Sequence, residues 1–262
     1  MTDDLKIAII SLDIKQENPA ENFIALENAL DSLQLGVDVV VLPELFSTGF
    51  ISNQDKLNTL AENTTGNTIT RLHQLADKYN LAIAGSYLCK LASTILNRAF
   101  FIEPGGDDSY YDKKHLFSLS PEKKLLYSGL NRCRTIRYRG WNISMIICYD
   151  LRFPVWCRNI KNDYDLLLVP ANWPKVRSFA WKHLLIARAI ENQAYIAGAN
   201  RSGEDKYGEY SDLSYIFDPT GKNIGENTDN IVYATLSKKS IEDIRTKLPV
   251  INDADNFTIN NL

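Results

Sequence analysis

Short runs of successive apolar residues recur along the chain, separated by stretches whose apolar positions fall three or four apart. The runs Ile7–Leu12, Val37–Leu42, Leu81–Ser86, Ala99–Glu103, Asn142–Cys148, Leu166–Pro170, Tyr195–Asn200, Ser214–Asp218 and Ile231–Leu236 read as strands. Several are rich in valine and isoleucine without polar alternation, the pattern of strands covered on both faces. Helical spacing predicts Ala20–Leu35, Thr68–Tyr79 and Phe179–Asn192. Phe23, Leu26, Leu30 and Leu33 share one face of the first, and Gly36 follows as a helix stop. Ile69, Leu72, Leu75 and Ala76 form one stripe of the second. Pro104-Gly105-Gly106 and Asp218-Pro219-Thr220-Gly221 read as hairpin connections.

No repeat, low-complexity stretch or linker divides residues 1–262, so the pattern predicts a single α/β domain with more strands than helices. From about residue 240 the chain turns polar, which predicts a tail lying over the surface or over a partner subunit.

Composition narrows the function more than the fold. A chain of 262 residues, 45% hydrophobic, buries a sizeable core without disulfides or a structural metal. A net charge of −3 argues against nucleic acid or an anionic membrane surface as partner. No stretch approaches the ~20 consecutive apolar residues of a membrane span, and Met1–Lys6 has neither the basic region nor the apolar run of a signal peptide. The expectation is a cytoplasmic protein whose Cys89, Cys133, Cys148 and Cys157 stay reduced. These cysteines form no C-x-x-C pair, and with only His73, His115 and His183 beside them they argue against a metal site.

The chemistry shows in where certain polar residues fall. One buried-type run ends at Pro43 and presents Glu44; another ends at Cys148. Between them, Tyr110-Tyr111-Asp112-Lys113-Lys114-His115 places two lysines after a strand-like stretch. Ligands of α/β sheets bind beyond the carboxyl ends of strands. Singly, each residue has an ordinary explanation: a buried thiol, a first-turn glutamate, a solvated lysine loop. Together they supply an acid–base group, an ammonium and a nucleophile. Amide hydrolysis needs a base to take the thiol proton and donors aimed at the developing oxyanion.

Pro43-Glu44-Leu45, Asp112-Lys113-Lys114-His115-Leu116-Phe117 and Cys148-Tyr149-Asp150-Leu151-Arg152-Phe153-Pro154 resemble, in order and separation, the three signature segments of the nitrilase superfamily of carbon–nitrogen hydrolases. The resemblance continues through Leu96–Phe100, Asn172-Trp173-Pro174 and Arg188–Gln193, covering roughly Ile7 to Leu236. It implies an α-β-β-α sandwich that assembles as a homodimer or higher homo-oligomer through its outer helices. It implies Glu44 as general base, Lys113 as oxyanion-holding lysine and Cys148 as nucleophile, with no metal or organic cofactor. Lys113, two residues before His115, matches the motif, and Lys114 falls at a variable position. The backbone N–H of Tyr149 is the second implied oxyanion donor, and Glu122 after Pro121 matches a second glutamate, or else simply starts a helix.

The nucleophile segment most resembles the omega-amidase branch, which implies a small-molecule amide substrate carrying a carboxylate, such as 2-oxoglutaramate. Arg152 matches a residue that holds that carboxylate, its alternative being a salt bridge to Asp150. Phe46, Phe117 and Trp173 follow motif residues and are candidates for the pocket wall, or else for the core. Two departures stand out: Val155 replaces a usual glutamate after Pro154, and Asp212 a usual glycine after Tyr210. The same residues also suit a nitrilase proper or an N-carbamoyl hydrolase. A Cys-His hydrolase using His115 or His183 as base, and a catalytically silent scaffold, are the more distant readings.

Overall fold

The computed structural model describes residues 4–210 and 213–259. In chain order its elements are β1 (Leu5–Ile10), α1 (Pro19–Asp31), β2 (Val39–Val41), α2 (Gln54–Leu60), α3 (Asn67–Tyr79), β3 (Ala82–Leu91), β4 (Thr94–Ile102) and β5 (Asp108–Asp112). The second half begins with α4 (Glu122–Leu125), β6 (Ile136–Tyr138), β7 (Trp141–Met145), α5 (Pro154–Cys157), β8 (Leu166–Ala171), α6 (Ser178–Asn192) and β9 (Tyr195–Asn200). The chain finishes through β10 (Glu204–Asp205), β11 (Gly208–Glu209), β12 (Tyr215–Phe217), β13 (Glu226–Thr228), β14 (Ile231–Leu236) and α7 (Lys238–Lys247).

Among the described residues, one seven-stranded sheet runs β13-β14-β1-β2-β3-β4-β5 and one five-stranded sheet runs β12-β9-β8-β7-β6. Each has a parallel centre, β1-β2-β3 and β7-β8-β9, with antiparallel strands outside it. Strand alternation assigns each face to a different core. Leu5, Ile7 and Ile9 of β1 point between the sheets with Val39, Val41, Ile143, Met145 and Leu166. Ala8 and Ile10 point the other way, with Val40 and Leu42, under Phe23, Leu26 and Leu30 of α1 and the Ile69–Ala76 stripe of α3. On the far side, Trp181, Leu185 and Ala189 of α6 pack on the five-stranded sheet. That packing requires Gly198 on β9, where a Cβ would stand 2.6 Å from Leu185 and 2.8 Å from Trp181. The result is the α-β-β-α sandwich.

Three features differ from the pattern reading. First, α1 stops at Asp31, and Gly36 serves a separate turn at φ +78°. Second, the stretch from about 240 begins inside the helix α7, which is capped by Ser237 and runs to Lys247. It offers one fully buried apolar residue, Ile241, and docks instead through Lys238 and Arg245, each 2.6 Å from the buried Asp165. Ion-paired docking leaves no apolar stripe for a sequence reading to find. Third, the strand-like stretch before Lys113 is the strand β5, whereas the three-residue strands β6 and β13 escape notice because period-two patterning needs more residues than they have. The Pro104–Gly106 hairpin joins β4 to β5. The Asp218–Gly221 turn closes at the Phe217–Asn223 bridge, after which the chain crosses to the other sheet.

Two parallel strand ends and one flanking strand set the site. β5 lies two antiparallel steps from β3 and therefore runs in the direction of β2, delivering Lys113 to the same end of the sandwich as Glu44. β7 and β8 of the other sheet bring Cys148 and Asn172 to that end.

Candidate active site

Beyond that end lies a cavity of about 300 Å³ whose lining includes Glu44, Lys113, Glu122, Cys148 and Asn172. Glu44, Lys113, Glu122 and Cys148 are 4%, 2%, 3% and 8% exposed, so their charges and protons are exchanged with each other more than with water. Lys113 Nζ donates to Glu44 Oε1 at 2.8 Å and to Glu122 Oε1 at 2.7 Å. An ammonium has three N–H groups, so one remains for a ligand. Glu122 both opens α4 and accepts the Phe117 N–H at 2.7 Å through Oε2, joining the two alternatives read for it from sequence.

Glu44 is held at both oxygens: Oε1 also accepts from Asn97 Nδ2 at 2.7 Å, and Oε2 from the Asn172 N–H at 3.0 Å. The Asn97 carbonyl accepts the Lys113 N–H at 2.9 Å, so one residue of β4 fixes base and ammonium together. Gly129 runs against the same point. Its N–H donates to Lys113 O at 2.8 Å, and a Cβ there would meet Asp112 O at 2.1 Å.

The backbone is strained where the reactive side chains are presented. Leu45 has φ +50° and Cys148 φ +43°, conformations that cost a non-glycine residue about 1–3 kcal/mol. Each is pinned by a side chain: Ser86 Oγ accepts the Leu45 N–H at 2.9 Å, and Asp150 Oδ2 the Ile147 N–H at 3.1 Å. Asp150 is fully buried and also accepts from Tyr111 Oη (2.7 Å), the His115 N–H (2.8 Å) and His115 Nδ1 (2.8 Å). It therefore ties the lysine segment to the cysteine turn. Tyr149 follows Cys148 in that turn and lines the cavity; the first N–H groups of a helical turn have no partner within it.

Burial pushes the Cys148 thiol well above its ordinary range, and the Glu44 carboxylate adds to this against the opposing pull of Lys113. Burial alone would lower the Lys113 ammonium, but the carboxylates of Glu122 and Glu44 outweigh it and hold the lysine charged. With two carboxylates around one ammonium, the surroundings of Cys148 favour the protonated sulfur over the thiolate.

The outer part of the cavity is built from Phe50, Phe117, Tyr149, Arg152, Trp173, Arg177, Asp205, Tyr207 and Tyr210, among others. Arg152 lies 4.7 Å over the Trp173 ring, and Arg177 lies 5.4 Å over Phe117. Among the described residues neither guanidinium has a carboxylate partner, and Asp150 is taken up elsewhere, so the Arg152–Asp150 alternative does not hold. Phe117 and Trp173 line the cavity, whereas Phe46 does not. Phe46 is fully buried on the helix side of the seven-stranded sheet, edge-on to Phe23 and Phe100, because its strand-end turn directs it away from Glu44. Lys114 lies 5.3 Å over the Trp156 ring, outside the cavity lining.

His115 stacks on Phe153 and His183 bonds the Phe179 carbonyl; neither lines the cavity, which removes both as the base of a Cys-His pair. Val155 is exposed on α5. Ser211 and Asp212 lie outside the described residues, while Tyr210 lines the cavity and donates to Asp205 Oδ1 at 3.0 Å. Asn97, Asn172, Asp205, Tyr207 and Arg177 went unassigned in the sequence. Asn97 and Asn172 sit inside segments already matched to the family, and an amide interrupting an apolar strand or ending one was the available signal. For Arg177 there was none.

A family model for carbon–nitrogen hydrolases matches residues 6–246. The omega-amidase YafV of Escherichia coli (strain K12) is 40% identical over 259 residues, 97% of this chain and 98% of that protein. The 2-oxoglutaramate amidase of Bacillus subtilis (strain 168) is 33% identical over 253 residues, covering 94% and 96% of the two chains. Among solved structures, XC1258 from Xanthomonas campestris is described as a CN-hydrolase superfamily protein with an arsenic adduct in its active site. It matches with a TM-score of 0.92 and 34% identity, over 98% of this chain and 99% of that one.

Proposed function

The chain belongs to the carbon–nitrogen hydrolase family, and we propose that it hydrolyses a small amide bearing a carboxylate, of the omega-amidase type, through a cysteine thioester. The observation that carries this reading is the polarity of the cavity. Its floor holds two carboxylates around Lys113, which repel an anion, and its outer wall holds the Arg152 guanidinium, which attracts one. A neutral amide group pointing inward and a carboxylate pointing outward suit both ends. The names of the Escherichia coli and Bacillus subtilis relatives support 2-oxoglutaramate as substrate, with 2-oxoglutarate and ammonia as products.

In the proposed reaction Glu44 takes the Cys148 proton as sulfur attacks the amide carbon. The carbonyl π electrons move to oxygen, held by the third N–H of Lys113 and the Tyr149 N–H. Glu44 returns the proton to nitrogen, the carbon–nitrogen bond breaks, and ammonia leaves a thioester. Water, deprotonated by Glu44, then attacks that carbon, and the departing sulfur recovers a proton as the acid is released. Asn97 and Asn172 hold the carboxylate in line for each transfer, and Glu122 holds the ammonium.

The test is ammonia release from 2-oxoglutaramate by wild type and Cys148→Ala, beside simple nitriles and N-carbamoyl compounds. Turnover of the amide by wild type alone is expected, with an acyl adduct on Cys148 in intact-protein mass spectra. A preference for nitrile or N-carbamoyl substrates overturns the omega-amidase reading. We also propose self-association through α6: Phe179 and Ile190 are 76% and 49% exposed. Sedimentation of wild type and Phe179→Asp tests it.

A further inference from the structure

The mouth of the cavity carries a second guanidinium that the proposed reaction leaves without a task. Arg177 lines the same cavity as Arg152, stands over a different aromatic ring, and is likewise without a carboxylate partner among the described residues. One residue, Trp173, sets both. Its ring face lies under Arg152, while its indole N–H donates to the Arg177 carbonyl at 2.9 Å. Trp173 is itself fixed, its N–H donating to Asn200 Oδ1 at 2.7 Å, its carbonyl accepting Asn200 Nδ2 at 2.9 Å, and its ring packed on Trp181. Arg177 also opens α6, whose first turn has neither an acidic residue nor a side-chain cap, so the helix dipole adds positive potential there. The carboxylate at this rim, Asp205, is already engaged by the fully buried Arg201 at 3.0 Å, by Tyr210 and by the Tyr207 N–H.

An arginine whose planar face rests on a ring keeps its N–H edge free for a carboxylate. We propose that Arg177 is a specificity-determining residue: with Arg152 it forms a two-guanidinium clamp on the substrate carboxylate, one arm on the Trp173 wall and one on the Phe117 wall. This rests on the reading of the substrate as a carboxylate-bearing amide. Two arms fix both the charge and the orientation of the substrate, so the amide carbon is turned toward Cys148. They also make capture of an anionic amide dependent on ionic strength, since Arg177 is exposed to solvent.

The experiment is steady-state kinetics of wild type, Arg152→Gln, Arg177→Gln and Arg177→Lys on 2-oxoglutaramate and on pentanamide, a neutral amide of the same carbon count. The quantity read is the ratio of kcat/KM for the anionic over the neutral amide. Arg177→Gln is expected to lower that ratio roughly tenfold, the low end for a charged hydrogen bond because the side chain is partly solvated. The loss should fall on KM more than on kcat, and the salt dependence of KM should weaken. Arg177→Lys should recover part of the ratio through charge alone. Pentanamide turnover by each variant reports that it is folded. A wild type indifferent to the carboxylate overturns the substrate reading and the clamp with it. A wild-type preference that Arg152→Gln abolishes and Arg177→Gln leaves intact overturns the assignment of Arg177 alone.

Discussion

At the floor of the cavity Lys113 Nζ lies 2.8 Å from Glu44 and 2.7 Å from Glu122, whereas at its mouth Arg152 and Arg177 meet the rings of Trp173 and Phe117. The floor is buried and its charges answer one another; Asn97, Asn172 and Phe117 N–H hold the remaining carboxylate lone pairs. The mouth is partly solvated, and its guanidinium edges are answered by no carboxylate among the described residues. Groups that saturate each other are positioned before any substrate arrives, which suits bond-making steps common to every amide. Groups supported only on their faces keep binding capacity for the part of the substrate that differs between amides. On the proposed reading, reaction type and substrate choice are thus written in different places, and variants at the two places should fail differently.

The largest effects belong to the floor and should fall on kcat. Cys148→Ala should end turnover altogether. Glu44→Gln removes the proton acceptor and should lower kcat by roughly 10²–10⁴-fold. Lys113→Met removes an oxyanion donor, a loss of roughly 10²–10³-fold, and also leaves two buried carboxylates facing each other. That variant should therefore be destabilised as well, and urea unfolding beside kinetics separates the two losses. If Lys113→Met loses stability but retains wild-type kcat, the lysine is a counter-ion and not an oxyanion donor.

A smaller effect tests whether the floor depends on its support. Asp150 touches no substrate-facing group but takes four donors from Tyr111, His115 and Ile147. Asp150→Ala leaves them without an acceptor and should lower the unfolding free energy, at about 1–3 kcal/mol for each donor that stays buried. It should also release the strained Cys148 turn, lowering kcat while leaving the anionic-over-neutral selectivity of the mouth in place. Loss of that selectivity would mean that floor and mouth are not independent.

This division matches what was legible in the chain. The floor could be read because Glu44 and Cys148 sit at ends of apolar runs, where backbone geometry forces a side chain into the open end of a sheet, and because Lys113 follows a strand-like stretch within a recognisable motif. The sandwich's centre was equally legible, since β1, β2, β8, β9 and the stripes of α1, α3 and α6 are apolar enough to declare themselves. The mouth was not. Arg177 lies in a single helical turn after Pro174, and the ring it stands over, Phe117, is sixty residues away in sequence. Phe46 was read into the wall because it follows Glu44 closely, yet adjacency in sequence says nothing about which face a left-handed turn at Leu45 presents. The helix α7 was invisible for a related reason, its docking being electrostatic and directed at Asp165 far away in the chain.

The subtlest prediction concerns the resting thiol and separates the proton-accepting role of Glu44 from its charge. Burial first, then the Glu44 carboxylate, hold the Cys148 thiol well above its ordinary range, and Lys113 opposes them. In wild type, alkylation by iodoacetamide should be slow at pH 7 and still rising with pH beyond 9, because the thiolate gains population only above the ordinary thiol range. Glu44→Gln removes the nearby negative charge while Lys113, still paired with Glu122, keeps its positive charge near the sulfur, so the thiol becomes more acidic. Its alkylation at neutral pH should therefore speed up, by about tenfold for each unit of pKa lost, while turnover collapses. Greater thiol reactivity in a nearly inactive enzyme is the opposite of what a standing thiolate sustained by Glu44 would give. Slower labelling of Glu44→Gln than of wild type would show that the carboxylate already draws the proton before substrate binds.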